Sequence, residues 1–320
     1  IKEGVTELTD TSNKGVFGKM AGLEEVVIPS SLTKLGAGAF SEVITIRLIT
    51  SNAVTAPTLG TDAFTTEVKE NAVMLVHTDY HNYIINGQNW GGIKNIYGVK
   101  EIIKEGYSLL VKVNDDVCSV EIGDKPHQNA RIELELPRTI EYYGEERDVT
   151  SIAKGGFKSC MFFGTLTIPG NIKTIADNAF NTCNKFDKLV IEEGVEELGN
   201  KAFYSASSLQ SITLPSTLTK VGENCFGIIY SPAEQQPHGY LTHVISFATE
   251  PAALDTDAFT GNVETHTPLY VFDSSIETYK ARPEWKNFKN IRPIEAKIGE
   301  TYYITLNEAI AAATSGQLIA

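Results

Sequence analysis

Basic residues are in short supply in this chain. Its 27 lysines and arginines face 40 aspartates and glutamates, for a net charge of −13. Like charge repels, so nucleic-acid backbones and anionic membrane surfaces are poor partners. No apolar run approaches the ~20 residues needed to span a bilayer. The four cysteines form no CxxC pair, which removes a zinc-ribbon reading. Gly36-Ala37-Gly38 is not followed by the Lys-Ser/Thr of a phosphate loop, and Asp255-Thr256-Asp257 lacks the later ligands and central Gly of a calcium loop. No nucleophile stands beside a base at a recognisable spacing, and the acidic pairs fall on solvent-facing positions rather than converging in a cleft. The chain therefore reads as non-enzymatic, with no cofactor and no metal. It has neither an initiator Met nor a signal peptide, so any targeting segment is expected to be removed or to lie outside it.

What the sequence does have is a period. Phe157, Phe180, Phe203 and Phe226 follow one another at intervals of 23 residues, as do Phe17 and Phe40. Other columns keep the same step. Leu166, Leu189 and Ile212 stand nine residues after the Phe, with Ile168, Ile191 and Leu214 two further on. Ile172, Val195 and Leu218 come next, then Ile175, Leu198 and Val221. Self-similarity at fixed spacing predicts a solenoid of stacked copies. The apolar-x-apolar segment before Pro169 or Pro215 has strand spacing, and the proline stops the strand. Phe180, Cys183 and Phe186 have helical spacing, which predicts one or two helical turns on the opposite side. One repeat cannot bury its own apolar column, but a stack buries it continuously.

A longer duplication overlies the short one. Thr61-Asp62-Ala63-Phe64 leads to Val73–Val76, Tyr83, Trp90 and Lys94-Asn95-Ile96. Thr256-Asp257-Ala258-Phe259 leads likewise to Leu269-Tyr270-Val271, Tyr279, Trp285 and Lys289-Asn290-Ile291. Terminal repeats differ from internal ones because one face has no neighbour, so these are two C-terminal caps. Between them, Tyr107 to Val113 and Val117 to Ile122 flank the turn Asn114-Asp115-Asp116, and residues 131–136 alternate charged and apolar residues. This pattern predicts antiparallel strands capping a second solenoid. Ile1 to Leu8 matches Ile191 to Leu198, so the chain is expected to begin inside a repeat. At the other end, Thr305 to Glu308 is a capping box opening an Ala-rich helix.

The unit Ile-Pro-x-x-Val/Ile-x-x-Ile…Ala-Phe-x-x-Cys, as in Ile168 to Cys183, resembles the BspA-like leucine-rich repeats of bacterial surface proteins. The lead-in from Leu136-Pro137 through Tyr142-Tyr143-Gly144 to Ile152 is similar to that family's N-terminal flank. The resemblance covers nearly all of residues 1–295. It implies a β-rich α/β leucine-rich-repeat solenoid of short strands and short helical turns, secreted or anchored at the surface of a bacterium. Many members are adhesion or interaction modules, and the family has no shared catalytic motif. The expected organisation is a solenoid with its cap at 1–97, then a hairpin N-cap, repeats and second cap at 98–294. Residues 295–320 would start a further module or linker helix, since 296–313 looks like the opening of another extracellular repeat domain.

The expected function is recognition of a host or microbial surface or matrix protein through exposed solenoid faces and loops. The alternative is an accessory module of a larger secreted enzyme, possibly binding glycan. The leading site is an insertion. Phe226 to Phe259 spans 33 residues where Phe40 to Phe64 spans 24, and the excess carries Tyr230, His238 and Tyr240. Insertions in solenoids emerge as loops, often on the binding face. The outward strand positions Thr165, Thr167, Lys188, Val190, Ser211 and Thr213 offer no aromatic ring for a sugar, which counts against a glycan groove. His77 and His81 have the spacing of two metal ligands on a helix but lack the Glu of a zinc-protease motif, and an exposed loop is the better reading. Cys160 and Cys183 share a column that also takes Ala206 and Met20, the behaviour of a core position. Rungs stacked at about 5 Å leave a disulfide between them geometrically open beside buried free thiols.

Overall fold

The computed structural model describes residues 1–9, 16–17, 20–85, 88–125, 132–227, 241–259 and 267–320. The chain divides into two compact units. The first comprises Ile1–Ile102, Leu110–Cys118 and Glu141–Glu146, and the second Ile103–Leu109, Ser119–Ile140 and Arg147–Ala320.

In the second unit, every repeat contributes to three parallel stacks. The broadest is a ladder of strands Gly164–Ile168, Phe186–Ile191, Ser211–Leu214, His243–Ser246, Leu269–Val271 and Ile291–Pro293, paired in chain order. Its register is that of the repeat, with Leu166, Leu189, Ile212, Val244 and Leu269 in one inward row. A second ladder of two-residue strands runs through Ser151–Ile152, Thr174–Ile175, Glu197–Leu198, Lys220–Val221 and Ala253–Leu254. The third stack is aromatic. Phe157, Phe180, Phe203, Phe226 and Phe259 lie ring on ring, with centroids 5.1, 5.3, 5.5 and 4.9 Å apart. All five are buried. The offset between rings matches the rung spacing of a parallel sheet, so each inner Phe stacks on the ring before and the ring after it, while Phe157 also meets Phe162 and Phe259 meets Trp285 and Phe288 at the two ends.

The segments around these rings differ from the expected helical turns. They are successive tight turns, in which the Lys158 and Cys160 amides donate to the Gly155 and Phe157 carbonyls. The alternate amides of Gly155, Phe157 and Ser159 donate instead to Asp177, Ala179 and Asn181 of the next rung. The three-residue spacing that suggested a helix is kept, but half the donors are diverted between repeats, as a solenoid side requires. Diverting them needs left-handed backbone. Two residues before each Phe of this stack, Gly155, Asn178, Lys201, Asn224 and Asp257 have φ between 52° and 64°. Gly, Asn and Asp tolerate that conformation, and Lys201 is the exception in the column.

Side chains tie rungs together as well. The Thr217 hydroxyl accepts from the Gly194 amide and donates to the Val195 carbonyl. In the first unit Ser31 makes the same pair of bonds with Gly4 and Val5. That unit repeats the architecture on a smaller scale. Strands Glu25–Ile28, Leu48–Ser51, Val73–Val76 and Asn95–Lys104 form its parallel ladder. Phe17, Phe40 and Phe64 stack at 4.9 and 5.4 Å.

Each unit carries the same cap. Trp90 Nε1 donates to the Pro57 carbonyl and Trp285 Nε1 to the Ala252 carbonyl, both at 2.7 Å. The Tyr83 hydroxyl lies 2.6 Å from Ser51 Oγ and donates to Ala53, while Tyr279 lies 2.7 Å from Ser246 Oγ and 3.2 Å from the Ala248 carbonyl. Both tyrosines meet their tryptophan edge-on. A buried indole N–H and phenol O–H need partners, and the cap supplies carbonyls that no further rung would otherwise pair.

The strand expected at 131–136 is not formed over its described residues, 132–136. Among the described residues there, Ile132 makes a single bridge to Phe162, and the stretch beyond it is irregular up to the strand Thr139–Tyr142. Alternation alone does not make a strand when only one partner residue is in reach.

Candidate interaction surface

A parallel ladder shows one face to the core and the other to solvent, so outward rows are where a solenoid varies without disturbing its stack. In the second unit, one outward row runs Thr165, Lys188, Ser211, His243, and the other Thr167, Val190, Thr213, Ile245, Tyr270, Arg292. The first three rungs are mostly small and polar, as the sequence indicates, with Lys188 and Val190 the exceptions. The ladder then runs on for three rungs, and aromatic character enters at His243 and Tyr270.

The first unit presents the opposite chemistry. Its outward rows are Glu25, Leu48, Val73, Asn95 and Val27, Thr50, Leu75, Tyr97. Five of these eight positions are apolar, in adjoining rungs. Val27 is 46% exposed, and Leu48, Val73, Leu75 and Tyr97 are half-buried. Three rung steps of about 4.8 Å make a patch ~14 Å long and two rows wide. Scattered exposed apolar residues need no explanation, whereas a contiguous in-register set marks a surface suited to a partner. The signal was present in the sequence. Val26-Val27-Ile28, Leu48-Ile49-Thr50 and Val73-Met74-Leu75-Val76 are apolar at both parities, unlike the polar alternation of Thr165-Leu166-Thr167.

The other candidate residues are placed as follows. Tyr230, His238 and Tyr240 lie outside the described residues. His77 is exposed at the end of its strand, whereas His81 sits in the short helical turn Tyr80–Tyr83. His81 Nδ1 is 2.7 Å from Asp79 Oδ1 and its Nε2 is 3.8 Å from Asp115 Oδ1. Its ring stacks on Tyr80 at 4.2 Å. Asp255 and Asp257 line a cavity of about 220 Å³ together with Glu284. Among the described residues, no group of three or more His, Cys, Asp or Glu is placed to hold a metal.

The four cysteines are buried and not joined in disulfides. The Cys183 thiol approaches the Phe157 carbonyl at 2.9 Å, and burial pushes its pKa up to about 12 and that of Cys160 to about 11. A thiol held so far from its thiolate is a poor nucleophile, so these are packing groups.

The repeat geometry has a counterpart among known families. A profile of the BspA type leucine rich repeat region matches residues 8–86 and 139–235, in six copies. The chain belongs to that family. Its repeats are those seen here as rungs, with the aromatic stack and the two ladders built by each copy. No curated protein matches the chain. Among solved structures, a leucine rich cell surface protein from Faecalibacterium prausnitzii A2-165 is similar at 17% identity, with a TM-score of 0.30. The match covers 68% of this chain and 62% of that one, so less than two thirds of that protein is spanned.

Proposed function

We propose that this BspA-type chain is a non-enzymatic interaction module of a bacterial cell surface, binding a protein ligand through the outward ladder of its first unit. The observation that carries this reading is the in-register apolar patch of Val27, Leu48, Val73, Leu75 and Tyr97. Family membership supports the surface location, and the thiols held protonated by burial are consistent with a structural rather than catalytic use. Two tandem binding modules, residues 1–97 and 98–294, followed by the start of a third at 295–320, fit the repeated Tyr-Trp cap. The insertion bearing Tyr230, His238 and Tyr240 supplies a second contact in this reading, with tyrosines that combine apolar area and a hydrogen-bonding tip.

Binding of the purified chain to an array of host matrix proteins, microbial surface proteins and glycans tests it. The proposal expects one or more protein spots whose signal is lost on Leu75→Asp. Retention on glycans alone would favour the accessory-module alternative. Protein binding insensitive to Leu75→Asp but abolished by Tyr230→Ala with Tyr240→Ala would move the site to the insertion.

A further inference from the structure

The outward rows of the second unit end beneath a small module. Strands in this ladder alternate buried and accessible residues, but all three residues of Leu269–Val271 are buried, and outward-facing Tyr270 is only 8% exposed. The segment packed at this end is residues 296–320. It consists of the hairpin Ala296–Ile298 and Thr301–Tyr303, the helix Leu306–Ala312, and Ile319 bridged back to Ile298. It has a core of its own in Ala296, Ile298 and Ala309, with Tyr303, Ala313 and Ile319 packed on it. Its seat on the ladder is aromatic. The Tyr302 ring lies 5.3 Å from Phe247 and 5.1 Å from Phe272, which are 6.2 Å from each other.

Beside this seat is His243, with its ring 6.3 Å from Tyr270 and Nδ1 3.0 Å from Thr242 Oγ1. The charged groups facing it are Glu308, from the helix, and Lys188, from the strand two rungs back. Lys188 occupies the same outward row and is exposed. A residue in that row owes its burial to whatever lies over it.

We propose that residues 296–320 are a lid on the aromatic end of this ladder, seated by Tyr302 and loosened by acid. Lifting it uncovers Phe247, Tyr270 and Phe272 on a face whose first three rungs carry no aromatic ring. The sign of the acid effect follows from His243. Burial holds its pKa below the ordinary histidine value, outweighing the Glu308 carboxylate that favours the proton, and Lys188 acts in the same direction as burial. Uncovered, the imidazole regains solvent and binds a proton more readily. Seating is therefore complete above the ordinary histidine pKa of about 6.5 and is lost as pH falls through the lower covered value. The lid is independent of what the first unit binds, so its failure leaves the proposed function untouched.

Amide hydrogen exchange on the full chain tests the lid. After correction for the intrinsic pH dependence of exchange, residues 296–312 should exchange roughly threefold faster at about pH 5.5 than at about pH 7.5. Strands Gly164–Ile168 and Phe186–Ile191 should keep their protection at both values. His243→Phe should remove the pH dependence, and Tyr302→Ala should raise exchange in 296–312 at both pH values. Equal protection of 296–312 at the two pH values in the unaltered chain would overturn the proposal, as would intact protection in Tyr302→Ala. Loss of protection throughout the ladder in Tyr302→Ala would also overturn it, because the segment would then be part of the solenoid core.

Discussion

The two units share a cap down to single hydrogen bonds, yet their outward ladders have opposite chemistry. Trp90 and Trp285 each donate to a carbonyl 33 residues earlier, and Tyr83 and Tyr279 each meet a buried serine. On the ladders, by contrast, Val27, Val73 and Leu75 stand in the first unit where Thr167, Ser211 and Thr213 stand on rungs of the second. The shared part is what the stack needs to bury its last rung. The differing part lies on the face turned away from the inward rows, so it is free to be shaped by what each face meets.

The largest effect separates stack from surface. Phe180 is fully buried between Phe157 and Phe203, and Phe180→Ala should cost about 3–5 kcal/mol. Urea denaturation measures the loss. A cost below about 1 kcal/mol would mean that the rings are not the core of the repeat.

A smaller effect tests the equivalence of the caps. Trp90→Phe and Trp285→Phe each leave a buried carbonyl without its donor, at about 1–3 kcal/mol. Trp285 is 1% exposed and Trp90 7%, so the second cap should lose slightly more in thermal melts of the two variants. A loss confined to one variant would break the equivalence.

The smallest effect concerns the turn column. Lys201 has φ 55° where its counterparts are Gly, Asn or Asp, so Lys201→Asn should raise stability by about 0.5–1 kcal/mol. A lower melting temperature would show that the lysine makes compensating contacts.

Much of this was legible in the sequence, because a repeat states its own register. The 23-residue step placed the Phe stack, and the columns Leu166-Leu189-Ile212 and Ile168-Ile191-Leu214 placed the inward rows. The Tyr and Trp spacings marked both caps. The turns around Phe180 were less legible, since an apolar residue every third position suits a helix and a run of tight turns alike. What separates them is the left-handed residue two positions before each Phe, visible only as a column of Gly, Asn and Asp that Lys201 interrupts. The apolar patch of the first unit was legible but needed parity. Only once Val26 and Ile28 are assigned inward does Val27 become an exposed residue. The seating of Tyr302 on Phe247 and Phe272 had no sequence signal, because it joins a non-repeating segment to the ladder across some 30–55 residues of chain.

Making the first ladder resemble the second tests the central claim most directly. Val27→Thr, Val73→Ser and Leu75→Thr together replace outward apolar side chains with the residue types of the other unit and leave the inward rows intact. If the apolar face is the binding surface, affinity for a protein ligand identified on the array should fall about tenfold or more, with the melting temperature nearly unchanged. Undiminished binding by a folded triple variant would contradict the account.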